Sequence, residues 1–494
     1  MFQTIVLGFI LLTTLYILKR PRDPKLNMPP LVRYKIPIIG HTFRYTFNCE
    51  KFLGQCRKEY GEMFSLYIWG RTITFVGKEY THEVLSRSDV FDFGVLFRKM
   101  IPGDVMYTSI DNFGDLRSYG KMIRGSSISN KLNLYTERIQ KSLYLATQKH
   151  IGDCNDQKVI YNIYSAITKI ISASIANVFI GEEESEYDDV ISTFAEFTKD
   201  IAVFFLIPPI FDLIFPGLQD FVKRIPIRLG LYNPVTRHVN TLIKHVKHQV
   251  DKRLREKQKY GDSWKRPTDL LQDFMEQKSF DPNNINYTAL ASNLSIFIFA
   301  SIHSTSRACA NVVVDLASRP EYMQELYEEQ LEIHKKTDEN GILPFESLKE
   351  MKNLDSFIRE SLRFTGDVAA LPHWVLKDHT FSNGLQVPKG HVVDIYSYDT
   401  YHDESLQGPN PTSFEPHRHN VPASKVGRNF LTFGGGKHMC PGRFLAINEI
   451  KFFMHNAILN YNIRTESGKI EDKFRLGPVA LPSNNGIIFE KRAK

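Results

Sequence analysis

From Tyr287 to Arg319 the chain runs without a proline, and Leu290, Leu294, Phe297, Ile298, Ile302, Val312 and Val313 recur along it at helical spacing. The pattern predicts one helix of roughly 32 residues, ~48 Å long at 1.5 Å per residue, enough to cross the whole molecule. It is too polar to lie in a bilayer, so the rest of the chain has to pack around it. In its middle stand Ala300-Ser-Ile-His-Ser-Thr-Ser306, where Ser and Thr hydroxyls can bond to backbone carbonyls, loosen a turn and leave a groove.

A second stretch fixes what that helix faces. Phe430-Leu-Thr-Phe-Gly-Gly-Gly-Lys-His-Met-Cys-Pro-Gly-Arg443 holds one cysteine in a glycine-rich loop that runs into an apolar helix through Phe444, Leu445, Ile447, Ile450 and Phe453. Gly434, Gly435 and Gly436 permit backbone conformations closed to other residues and leave room for a flat group against the loop. The following helix aims its N-terminal amides at the sulfur, a field that favours thiolate over thiol. A thiolate there suits an axial ligand to haem iron. The plain alternative is a buried, inert cysteine; zinc fits worse, because no second Cys or His lies at ligand spacing from Cys440 and structural zinc takes four ligands.

Phe433, Gly436, His438, Cys440 and Gly442 match the haem-ligand signature of the cytochrome P450 superfamily, and the resemblance extends over nearly the whole chain. It implies a mostly α fold with a minor β-sheet part, haem b held by the Cys440 thiolate, and His438 facing a haem propionate. In the long helix, His303 and Ser304 stand where the superfamily usually has an acid followed by Thr to deliver protons to iron-bound dioxygen; Thr305 can supply the hydroxyl equally. Sterol 14-alpha-demethylases and a group of fungal secondary-metabolite enzymes resemble this stretch. Histidine relays protons near neutral pH, whereas the ordinary reading is a core histidine packed between helices. Glu360 and Arg363 match the E-x-x-R pair, and Arg418 the arginine that completes its buried network. His373 stands where relatives place an Arg toward a propionate. Tyr119-Gly-Lys-Met-Ile-Arg124 departs from the family pattern of Trp and Arg; Lys121 or Arg124 can make that contact, and a solvated basic helix face is the alternative reading. Val368, Ala369, Ala370 and Leu371 fall, by resemblance, on the substrate pocket.

The resemblance implies a monooxygenase that inserts one atom of O2 into a lipophilic substrate, terpenoid, sterol-like or fatty acyl. Electrons are then expected from NADPH through a separate cytochrome P450 reductase, with cytochrome b5 as a second donor. No GxGxxG with a following acid offers the chain its own NADPH site. Two rivals share the motifs: rearrangement of a peroxide-type substrate without reductase, and a non-catalytic haem-binding sensor.

Composition narrows the class. With 494 residues, 42% hydrophobic and 12% aromatic, a cofactor-burying core is expected and disorder is not. A formal charge of +7 without a basic, aromatic-interleaved stripe gives no support to nucleic-acid binding. Five scattered cysteines point to a reducing compartment.

The N-terminal end points to a membrane. Phe2 to Leu18 is apolar, and Lys19, Arg20 and Arg22 follow it. About 17 helical residues cover most of a ~30 Å hydrocarbon layer, and trailing basic residues keep the body on the cytosolic side. The expected organisation is an anchor at 1–20, a basic, proline-rich linker at 21–36 and a haem-thiolate domain at 37–494, single-pass in the endoplasmic reticulum membrane. Tyr67–Val76 reads as a hairpin about a Gly-Arg turn, and Leu371–Gly390 as two strands about Ser-Asn-Gly. Ile201–Leu218, broken by Pro208 and Pro209, reads as core or as a lipid-dipping substrate entrance. Lys244–Lys259 reads as a charged amphipathic helix whose charges form a solvated face.

Overall fold

The computed structural model describes residues 26–107, 116–206, 209–215, 217–369, 371–471 and 473–493. The expected anchor at 1–20 and the start of the linker lie outside them. Eight of the helices build or brace the site: α1 (Leu116–Gly125), α2 (Ile163–Ile180), α3 (Asp188–Leu206), α4 (Leu218–Arg228), α5 (Thr236–Tyr260), α6 (Tyr287–Ala317), α7 (Lys352–Phe364) and α8 (Arg443–Asn460). Among the described residues only α2 is long and apolar enough to cross a membrane, and most of it is buried inside the protein as a core helix.

The long proline-free run forms the single helix α6, of 31 residues. The Asn286 side chain caps it by accepting from the Ala289 amide at 2.9 Å, and Pro320 follows its end. Helices α2, α3, α5, α7 and α8 all pack against it. Because it is surrounded, Leu294, Ile298, Ile302, Cys309, Ala310, Val312 and Val313 are fully buried, and the principal core follows its length.

The β part is small. Strands β1 (Met63–Ile68), β2 (Arg71–Val76), β3 (Phe91–Asp92), β4 (His373–Val375) and β5 (Val392–Ile395) form one sheet in the order β1-β2-β5-β4-β3, with only β2 and β5 parallel. The first hairpin turns at Trp69-Gly70, one residue earlier than the expected Gly-Arg, because both residues take left-handed φ, +48° and +74°, the geometry of a tight two-residue turn. The hairpin about Ser382-Asn383-Gly384 forms as expected, Gly384 at φ +82°. A second, smaller core lies on the sheet and contains Phe52, Phe64, Phe75, Val368 and Ala369.

The amphipathic helix expected at Lys244–Lys259 lies within α5, and its buried face carries polar residues as well: His238, His245, Gln249 and Arg253. Arg253 pairs with the buried Asp269 at 2.7 and 2.8 Å, and His245 sits between Glu184 and Asp189. A run of charges does not tell from sequence which of its members find partners on other segments. Across Ile201–Leu218, α3 ends at Leu206 and a short turn of helix at Ile210–Leu213 follows, leaving Ile210, Phe211, Ile214 and Phe215 exposed instead of in the core.

Candidate functional site

The cysteine loop is held by its own backbone. The Cys440 amide donates to the Phe433 carbonyl at 2.9 Å and the Gly434 amide to Leu431 at 2.8 Å, with Gly434 and Gly436 at φ +66° and +58°. A Cβ on Gly436 would lie 2.0 Å from the Leu85 carbonyl oxygen. Gly436 is therefore required by a close backbone approach on the outer side of the loop, while Gly434 and Gly435 line the cavity within.

Helix α8 begins at Arg443, so the amides of Gly442 and Arg443 face the Cys440 sulfur as the sequence suggested. Burial nevertheless raises the thiol more than those amides and the Arg443 guanidinium lower it. In the protein alone the favourable field is outweighed; a coordinated cation deprotonates such a thiol outright.

Cys440 forms the floor of a cavity with two lobes, of about 370 and about 240 Å³. Both are roofed by Ser304 and Thr305 of α6, and both reach Phe93, His438 and Ala446. Phe433, Leu371 and His373 stand in the larger lobe, and Tyr119, Arg124 and Gly442 in the smaller. A single thiol at a slot walled largely by apolar side chains, with Arg124, Lys437 and His438 beside it for carboxylates, fits a haem and its propionates. Val368 and Ala369 do not line this cavity: both are buried in the sheet-side core, while Leu371 stands on the wall and Ala370 lies outside the described residues.

The expected relay residues part company on the helix surface. Ser304 Oγ donates to the Ala300 carbonyl at 2.9 Å and Ser301 Oγ to Phe297 at 2.7 Å, the expected local bonds, although α6 stays continuous. His303 lines neither lobe. Its Nδ1 is hydrogen-bonded to the Tyr164 hydroxyl of α2, and burial lowers its pKa, so the ring is neutral at pH 7.

His373 is almost fully buried, and its Nδ1–H donates to the Leu371 carbonyl at 2.6 Å. Burial lowers its pKa to about 4; the Leu371 carbonyl opposes this and His438, with ring centroids 6.4 Å apart, adds to it. It therefore meets the cavity as a neutral imidazole and not as the cation that an Arg at this place would be.

Glu360 and Arg363 pair through two bonds of 2.7 and 2.8 Å, both side chains fully buried, and Arg418 reaches Glu360 at 3.2 Å. His419 adds a fourth member at 2.7 Å, which the sequence reading missed because a lone histidine after the motif carries no signal. Burial alone raises the Glu360 carboxyl, but the bonds from Arg363 and His419 outweigh it and hold it at about 2. Arg363 also donates to the Pro411 and Ser413 carbonyls, and Arg418 to Gln407 and Asn410, so the network fastens the segment leading into the cysteine loop. Two other groups also escaped notice. The Arg307–Asp367 pair in the larger lobe is made at 3.0 and 3.1 Å, and Glu449 lies in the smaller lobe.

Comparison with known proteins agrees with this geometry. The family model for cytochrome P450 matches residues 29–489. Cytochrome P450 monooxygenase 71 of Postia placenta is 28% identical over 98% of this chain and 96% of its own length. Cytochrome P450 monooxygenase olcJ of Penicillium canescens is 24% identical over 93% and 88%. The structure of retinoic acid bound cyanobacterial CYP120A1 superposes with a TM-score of 0.68 at 19% identity, covering 95% of this chain and all of that one, which speaks for the fold. With a family model spanning nearly its whole length and a cysteine-floored cavity under the long helix, the chain belongs to the cytochrome P450 family, oxidoreductases of the monooxygenase kind that bind haem through a cysteine thiolate.

Proposed function

We propose that Cys440 is the axial thiolate and that the protein inserts one atom of O2 into a lipophilic substrate, terpenoid, sterol-like or fatty acyl, with electrons from NADPH through a separate reductase. The observation that carries this reading is that Cys440 lines both lobes of the cavity together with Ser304 and Thr305 of the long helix. Haem bound there supplies oxygen activation, the anionic sulfur favouring O–O cleavage. The chain's own residues do the rest. Gly434 and Gly435 leave the slot open, and Arg124 and His438 line it where propionates would lie. The Thr305 hydroxyl offers a donor in the roof and Ser304 Oγ, whose proton goes to the Ala300 carbonyl, an acceptor, and His303 with Tyr164 backs them from the outer side of α6.

Support for an apolar substrate arriving from lipid is the exposed Ile210, Phe211, Ile214 and Phe215, with Phe221 and Ile225 of α4 continuing them. With the apolar run at Phe2–Leu18, this is the basis for proposing a cytosol-facing body on the endoplasmic reticulum membrane. The exposed Lys437, beside the cysteine loop, supports docking of an acidic reductase or cytochrome b5.

The test is the carbon-monoxide difference spectrum of the reduced, solubilised protein beside Cys440→Ser. A strongly red-shifted Soret band that the variant lacks is expected. A band typical of imidazole ligation, or the same band in the variant, overturns the assignment. Reductase-coupled screening of sterols and terpenoids then tests the substrate class.

A further inference from the structure

The larger lobe is lined mostly by apolar surface, but one corner of it is charged. Arg307, three residues beyond Ser304 on α6, reaches Asp367, which follows α7: Nη1 donates to Oδ1 at 3.0 Å and Nη2 to Oδ2 at 3.1 Å. Nη1 also donates to the Ala480 carbonyl at 3.2 Å, and the Ala480 amide donates to Asp367 Oδ1 at 3.0 Å. Three distant segments therefore build the corner. The last is the C-terminal hairpin of Phe474–Leu476 and Val479–Leu481, held to the segment after α7 by the Val368 amide, which donates to the Pro478 carbonyl at 2.8 Å. A fork-on-fork pair fixed from three sides offers its remaining hydrogen-bonding groups in set directions.

The pair satisfies the carboxylate more fully than the guanidinium. Both Asp367 oxygens are engaged and its side chain is 13% exposed, whereas Arg307 is 33% exposed on the lobe wall, its Nε–H and second Nη2–H without partners among the described residues. One helical turn on, on the same face of α6, Asn311 also lines the lobe. It is 3% exposed, and its Oδ1 is shut away from solvent with no partner among the described residues. Buried polar atoms call for partners, so the corner fits a group that accepts from Arg307 and donates to Asn311, directly or through water. A hydroxyl does both. A carboxylate, of a substrate or of a haem, has no proton to give and meets Asp367 beside a guanidinium whose charge is already matched. A hydrocarbon leaves the donors and the acceptor unmet.

We propose that Arg307, Asp367 and Asn311 form an alcohol-binding corner of the larger lobe, so that the substrate is a lipophile that already carries a hydroxyl group. The proposal rests on the monooxygenase reading above and narrows its substrate class to terpenoid or sterol-like alcohols, setting free fatty acids aside. Arg307 and Asn311 are then specificity-determining residues: a few polar groups in an apolar pocket fix the orientation of the carbon frame, and with it the carbon that is oxidised. Asp367 is a positioning residue that aims the guanidinium and cancels its charge. The substrate must in turn be supplied by a reaction that leaves a hydroxyl on the frame.

The experiment is titration of the ferric holoenzyme, followed at the Soret band, with farnesene, farnesol and farnesoic acid and with cholestane and cholestanol. The wild type is compared with the double variant Arg307→Met/Asp367→Asn and with Asp367→Asn alone. In the wild type at least one alcohol is expected to bind about 10-fold or more tighter than its parent hydrocarbon, the effect of one hydrogen bond from a charged donor, and farnesoic acid to bind weakly. The double variant carries neither charge and keeps an acceptor for the Ala480 amide. Its preference for the alcohol disappears, while affinity for the hydrocarbon, haem content and the red-shifted carbon-monoxide band stay. In Asp367→Asn the guanidinium charge is no longer matched, and farnesoic acid is expected to gain about 10-fold. No alcohol that outbinds its hydrocarbon in the wild type, a preference that survives in the double variant, or alcohol and hydrocarbon weakened alike, the mark of a strut that only fastens the hairpin, overturns the proposal. Should the double variant fail to fold, an unchanged affinity of Asp367→Asn for farnesoic acid does so alone, and the wild-type comparison needs no variant. Failure of the haem-thiolate reading shows separately, as a wild type without the red-shifted Soret band.

Discussion

Glu360→Gln isolates what the buried charge network contributes. The substitution keeps the shape of the side chain but removes the charge that Arg363, Arg418 and His419 share, leaving two guanidinium groups buried without their counter-ion. Breaking a buried pair from one side costs about 3–5 kcal/mol. The carboxyl itself gives an independent figure. Its pKa falls from an ordinary 4.5 to about 2, about 2.5 pH units, worth ~3 kcal/mol. For a depressed carboxylate the sign is fixed: the stabilisation is complete above pH ~4.5 and is lost as pH falls toward 2. At ~2.1 cal/mol/K per residue, unfolding a body of this length carries ~1 kcal/mol/K of entropy, so the variant is expected to melt ~3–5 °C lower at pH 7. Thermal scans followed by haem absorbance, repeated from pH 7 to pH 3, are the assay. The gap between wild type and variant should narrow below pH ~4.5, where the unfolded wild-type chain takes up a proton at this carboxyl that the folded state still excludes. A variant that melts with the wild type at pH 7, or a gap independent of pH, refutes the reasoning.

Two other substitutions probe the site more locally. Gly436→Ala places a Cβ 2.0 Å from the Leu85 carbonyl at a φ of +58°, so haem incorporation is expected to collapse; Gly435→Ala meets only the flexible Leu85 side chain at 2.9 Å and should retain most of it, as haem content per protein will show. Tyr164→Phe removes the partner of His303 at ~1 kcal/mol of stability, with haem content and the carbon-monoxide spectrum unchanged. Its product yield per NADPH should fall, and a yield equal to the wild type removes the Tyr164–His303 pair from proton supply.

Some of this was legible in the residues because the physics involved is local. A proline-free run with apolar residues at helical spacing specifies α6 wherever it sits, and Asn286 and Pro320 bound it. The glycines around Cys440 announce a loop that a side chain would obstruct, and the E-x-x-R spacing puts Glu360 and Arg363 on one helical face. What the sequence could not rank was contact between distant segments. Whether His303 turns toward the cavity or toward Tyr164, 139 positions away, depends on how α2 packs on α6. Whether the charges of α5 are solvated depends on Asp269, Glu184 and Asp189 lying opposite them. The Cys440 thiol shows the same division. The helix start that favours the anion can be read from Pro441-Gly442-Arg443, but the burial that opposes it, and makes a coordinating cation the deciding partner, exists only once the surrounding helices have closed over the loop.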